Sequence, residues 1–335
     1  MFRSLWLPAL LCACLPSCGA LEQSGEHVDL LQRALILDKD AGAGALATGS
    51  NSGRTLSPLP MTWFHATQSG SIANMLVHMP GFCPGVPLNV SVGKDDFGGS
   101  CYLKHFIEAC PGLCDPTHFR CPPSLAECVG SRYAEQKGHL VGMFRQPEQR
   151  VLSEYYDYNQ ELFFPGAPLL CNYTQNPGDP EDSPNFSALE YAQKARGEVV
   201  YQLLGECSPG DHMLGNKWAS SDDWRTQSNA EEAARRVREG FAFVGIMEEW
   251  NLSICLFHKM FGGPCRAADF ANEHPTPNAN KTAEGLYDTA PLQGFHDDLD
   301  GMVYQQALQS FRQNLLKYNV SIESCQSCFA EAKVV

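Results

Sequence analysis

Three short apolar runs, each passing straight into a segment of helical period, restrict this chain more than any other feature. One covers Leu140, Val141, Met143 and Phe144, so residues 142–158 begin as strand and end as helix. Pro147 suits a first helical turn, and Glu148 favours the positive helix end. Met61, Trp63 and Phe64 form a second run, followed by a small-residue loop at 66–71 and by Ile72, Met75, Leu76 and Met79 at helical spacing. Residues 241–246 form a third, ahead of a helix with Ile254, Phe257, Met260 and Phe261 inward. Strands alternating with helices predict an α/β fold, a central parallel sheet flanked by helices.

A strand that hands over to a helix aims backbone N–H groups and the helix dipole at one point, which is how phosphates are held. Arg145 sits at such a junction. Arg150 and Ser153 lie three apart on one side of the helix, so Arg145 and Ser153 can converge on one anion.

At these residues the chain resembles the Golgi-type, heparan-sulfate-like carbohydrate sulfotransferases. Their pattern Arg-x-Pro-x-x-Arg-x-x-Ser matches Arg145, Pro147, Arg150 and Ser153. Residues 64–71 resemble the loop Phe-His-x-Pro-Lys-Thr-Gly-Gly/Ser, with Thr67 in place of Pro and Gln68 in place of Lys. Their Phe-Val-Gly-x-x-Glu-x-x-x-x-Ser segment is matched by Phe243 through Ser253, with Glu248 and Ser253 at the polar places. Periodicity there shows a strand and a helix, so Glu248 reads as structural.

The resemblance implies a P-loop-like sulfotransferase fold and the co-substrate 3′-phosphoadenosine-5′-phosphosulfate, with no metal. Thr67, Gln68, Ser69, Gly70 and Ser71 would hold the 5′-phosphosulfate, with Gln68 at the place of the catalytic Lys. Arg145 and Ser153 would bind the 3′-phosphate. Thr117-His118-Phe119 resembles a segment that carries the base, which makes His118 the proton acceptor, with His105 and His139 as substitutes. Asn280-Lys281-Thr282 resembles a segment near the donor, and Arg120, Arg132 or Lys281 are cations able to replace the missing Lys. The expected reaction moves a sulfuryl group to a hydroxyl, with a glycan as the expected acceptor. The alternative is a catalytically impaired relative that binds glycan or donor. A nucleotide kinase is disfavoured, because no Gly-x-x-x-x-Gly-Lys-Ser/Thr occurs.

Arg3 precedes an apolar run from Leu5 to Leu15, and Cys18-Gly19-Ala20 offers small residues for cleavage, so 1–20 is expected to be a signal peptide, or else an uncleaved N-terminal anchor. Residues 21–57 read as a flexible stem and 58–335 as the sulfotransferase-like domain, with a Cys-rich insertion at 83–128. Of 15 cysteines, three fall in the leader, and the even remainder suits disulfides better than zinc. Six Asn-x-Ser/Thr sequons agree with a Golgi-lumenal or secreted protein; among them Asn251 is expected to be too buried for modification. Cys325-x-x-Cys328 reads as a structural disulfide rather than a redox pair. A net charge of −14 argues against nucleic acid but leaves room for an anionic nucleotide held by a few local donors. Residues 228–231, Ser-Asn-Ala-Glu, read as a capping box for a helix ending at Gly240. The last long helix is expected from about Asp300 to Tyr318.

Overall fold

The structure, a computed structural model, describes residues 61–66, 69, 72–83, 129–161, 187–205, 224–271, 281–282 and 285–334. The expected leader and stem, and the Cys-rich insertion beyond Cys83, lie outside the described residues.

Three parallel strands form one sheet in the order β1-β2-β3: β1 is Thr62–His65, β2 Leu140–Phe144 and β3 Phe241–Ile246. They coincide with the three apolar runs, because a strand buried on both faces must be apolar almost throughout. All five residues of β2, the central strand, are buried. Trp63 pairs with Val141, and Val141 with Phe243. The rings of Phe64, Phe144 and Phe241 pack together across the sheet, with centroids 5.4–5.9 Å apart. Gly142 permits that contact, since a Cβ there would stand 2.7 Å from the Phe64 carbonyl oxygen and 3.3 Å from the Phe241 ring.

The helices are α1 (Ala73–Val77), α2 (Tyr133–Gln136), α3 (Pro147–Glu161), α4 (Ala188–Ala195) and α5 (Glu198–Leu204). Then follow α6 (Gln227–Gly240), α7 (Trp250–Phe261), α8 (Asp298–Lys317) and α9 (Gln326–Ala332). Both α7 and α8 pack on β3, and α8 also packs on α5 and α6. Ile254, Phe257, Met260 and Phe261 are buried as expected.

Several boundaries differ from expectation for identifiable reasons. α1 ends at Val77 although Met79 keeps helical spacing, because Pro80 disfavours helical geometry at Met79. The cap of α6 is Thr226, whose hydroxyl accepts from Asn229 N at 3.2 Å, two residues ahead of the expected Ser228. α8 begins two residues early, because Asp297 caps it by accepting from Asp300 N at 2.9 Å. Asn251 is exposed; it is Ser253 of that sequon that is buried, donating to Ile246 O at 3.0 Å and accepting from Ile246 N at 2.8 Å.

The Cys325-x-x-Cys328 pair is structural, but its two cysteines do not join each other. Cys325 bonds Cys255 of α7, and Cys328 bonds Cys265 just beyond α7, with Cα–Cα distances of 6.0 and 5.2 Å. Cys83 is disulfide-bonded as well. Arg266 donates to Asn74 O at 2.9 Å and to Asp269 at 2.8 Å, which ties the first turn of α1 to the segment after α7.

Candidate functional site

The C-terminal ends of parallel strands are where open α/β sheets hold ligands, and the β2–α3 junction lies at such an end. α3 is long enough to present a full N-terminal turn. Gln146 caps it: its side-chain oxygen accepts from Gln149 N at 2.8 Å, and its carbonyl from Arg150 N at 2.9 Å. Glu248, just after β3, accepts from Gln146 N at 3.0 Å and from the Tyr304 hydroxyl at 3.1 Å. That structural role is the one its place in the sequence suggested.

Tyr287 is the centre of the site. Its hydroxyl donates to Ser153 Oγ at 3.3 Å, and the Arg145 guanidinium carbon lies 5.3 Å from its ring centroid. Arg145 and Ser153, paired by sequence, therefore meet through one phenol. Lys281 Nζ stands 4.7 Å from the same ring, and Tyr156 stacks on it at 5.6 Å. The Gln149 side chain holds the backbone of Tyr287 from both sides, accepting from its N–H at 2.7 Å and donating to its carbonyl at 3.0 Å. Burial pulls the pKa of Arg145 below the usual arginine value, while Tyr287 and Glu248 oppose that shift. The guanidinium thus stays charged in a partly desolvated place, where its hydrogen bonds to an anion are strongest.

Arg150, on the same helix, has a different task. It is fully buried and donates to Glu154 at 3.0 Å, to Glu198 at 2.5 Å and to Asp300 at 3.4 Å, so it joins α3, α5 and α8. Asp300 also caps α5, accepting from Val199 N at 3.1 Å and Val200 N at 3.0 Å.

Of the expected loop residues, Ser69 is buried and donates its N–H to Ala66 O at 3.1 Å. Thr67, Gln68, Gly70 and Ser71 lie outside the described residues, as do His118, His105 and Arg120. The substitute base His139 precedes β2, at the end of the strand opposite Arg145, about 20 Å away for six extended residue steps. Arg132 belongs to a 3₁₀ turn, Gly130–Arg132, ahead of α2. Lys281 is the substitute cation that reaches Tyr287.

Sequence reasoning passed over Tyr287, Gln149 and His296. His296 Nδ1 lies 2.6 Å from Glu148 Oε1, and the same carboxylate oxygen accepts from Asp297 N at 3.2 Å. An isolated aromatic seven positions after Asn280 in a polar stretch was the one local sign of Tyr287.

No family model, curated protein or solved structure matches this chain.

Proposed function

We propose that the protein is a sulfotransferase of P-loop-like fold that moves a sulfuryl group from 3′-phosphoadenosine-5′-phosphosulfate to a hydroxyl, with a glycan as the acceptor class. The observation that carries this reading is the line of contacts Arg145–Tyr287–Ser153 at the first turns of α3. It gives a phosphate a half-buried cation, two hydroxyls and a helix N-terminus in one place. Disulfides tie the C-terminal elements together, which suits the oxidising lumen of the secretory pathway.

In the proposed reaction the acceptor oxygen attacks sulfur while the bond from sulfur to the bridging oxygen breaks, and adenosine 3′,5′-bisphosphate leaves. His118 takes the acceptor proton, and backbone N–H groups of residues 67–71 hold the transferring group. Gln68 can donate a hydrogen bond to the bridging oxygen but cannot neutralise its charge. Lys281, whose Nζ stands 4.7 Å from the Tyr287 ring, is the proposed compensating cation.

Calorimetric titration with adenosine 3′,5′-bisphosphate tests the clamp. Arg145→Ala is expected to weaken binding by about 1.5–3 kcal/mol, the worth of a charge-assisted contact. Tyr287→Phe, which removes one hydroxyl, is expected to cost about 0.5–1.5 kcal/mol. Affinity unchanged in both would remove the clamp.

Gln68 favours the second reading, a binding protein with little or no turnover. Comparing sulfate transfer by the natural protein and Gln68→Lys, with one labelled donor and one acceptor, separates the two. A faster variant marks an attenuated enzyme, and an active parent slowed by the change marks a cation supplied from elsewhere. If both bind the donor product and neither transfers sulfate to any hydroxyl, the binding reading holds.

A further inference from the structure

Among the described residues, the most exposed large apolar side chains are Leu316 at 69% and Ile322 at 49%. They flank the sequon Asn319-Val320-Ser321 three positions to either side. An apolar residue exposed singly is ordinary; two around one acceptor asparagine in a single corner are not. The corner is well fixed. Asn319 N donates to Leu316 O at 3.2 Å, Ser324 Oγ donates to Asn319 O at 2.9 Å, and Ser321 N donates to Ser324 Oγ at 2.9 Å. Asn319 is exposed and adopts φ 51°, in the left-handed region that asparagine tolerates better than most residues. Val320 beside it is buried, and Cys325 anchors the far side of the corner to α7.

We propose that Asn319 carries an N-linked glycan whose first sugars lie over Leu316 and Ile322. The inference rests on the secretory route proposed above, not on sulfuryl transfer. In the modifying step the Asn319 amide nitrogen bonds to the anomeric carbon of a polyprenyl-pyrophosphate-linked oligosaccharide. The lipid pyrophosphate leaves, and the amide gives up one proton. In the folded protein Ser321 Oγ accepts from Ser324 N at 3.2 Å, so the enzyme must read the sequon before this turn closes. The apolar faces of the core sugars then cover methyl groups that water would otherwise meet.

The test uses the full chain secreted from a eukaryotic host that N-glycosylates. Release of glycans by peptide N-glycosidase in heavy-oxygen water, followed by peptide mass spectrometry, is expected to mark Asn319 as occupied. Asn319→Gly removes the acceptor while suiting the positive φ, so folding is preserved. It is expected to aggregate several-fold faster and to bind more of a hydrophobic dye than the parent. Adding Leu316→Lys and Ile322→Lys to that variant is expected to restore the parent behaviour. An unoccupied Asn319 with other sequons occupied would overturn the inference and leave the secretory route standing, whereas a chain without any glycan would overturn both. Occupancy at Asn319 with no gain in aggregation or dye binding in Asn319→Gly would overturn the covering role.

Discussion

Arg150→Met is expected to cost about 3–5 kcal/mol of folding stability, the usual result of removing one partner from a buried ion cluster. The guanidinium is the cation to which Glu154, Glu198 and Asp300 bond, and none of these side chains is more than 2% exposed. Four ionised carboxylates, counting nearby Asp297, around one cation would leave an uncompensated buried negative charge. Protons relieve it. Burial pushes the pKa values of Glu154 and Asp300 well above the usual carboxylate range, with the charges of Glu198 and Asp297 adding to the effect, and burial raises Asp297 as well. The sign of the pH dependence follows. Between the unfolded and folded pKa values the folded state holds protons that the unfolded state has released, so this stabilisation is complete below about pH 4 and is lost as pH rises through the folded values. Urea unfolding at a series of pH values should therefore show the cluster's contribution falling toward alkaline pH. Glu154→Gln, an uncharged isostere, should be nearly neutral at pH 7 and flatten the slope. If Glu154→Gln is as harmful as Arg150→Met, the carboxyl is ionised and this account fails.

Removing both described disulfides is expected to have the largest effect on stability. The bridges Cys255–Cys325 and Cys265–Cys328 span 70 and 63 residues and are interleaved, so the second to form closes only a path of ten residue steps from Cys255 to Cys265 and three from Cys325 to Cys328. By the chain-entropy relation, a loop of about 70 residues is worth about 4.4 kcal/mol and one of about 13 residues about 3 kcal/mol. Replacing either pair by alanine should thus cost about 3 kcal/mol, because the other still closes the long loop, while replacing both should cost about 7 kcal/mol. Denaturant midpoints of the two pair variants and the quadruple variant check this. A quadruple variant no less stable than one pair variant would rule out the shared-loop picture.

The strands were legible because each is a continuous apolar run, and α3 because Pro147 and Glu148 mark its start. Pro80 was also legible as the reason for the short α1, but helical spacing at Met79 outweighed it in the reading. The site was half legible. Arg145 and Ser153 lie eight residues apart on one strand-helix unit, so local spacing could pair them. Tyr287, which joins them, is 134 residues beyond Ser153, and no local period connects positions that far apart. Arg150 shows the reverse error that spacing invites. It shares a helix side with Ser153, yet its partners come from Glu198 and Asp300, and burial makes it structural. Cys325 and Cys328 look like one local pair for the same reason, whereas their partners sit on and just beyond α7.

The same two bridges also decide how the molecule would carry mechanical load. Tension applied to the C-terminus enters at α9 and reaches Cys328 and Cys325, from which the covalent bonds pass it directly to Cys265 and Cys255. The intervening chain, including all of α8 and the Tyr287 segment, is bypassed. Under force the load enters the fold at α7, so in a protein tethered by its tail to a surface or a fusion partner α8 and Tyr287 stay off the covalent line of strain.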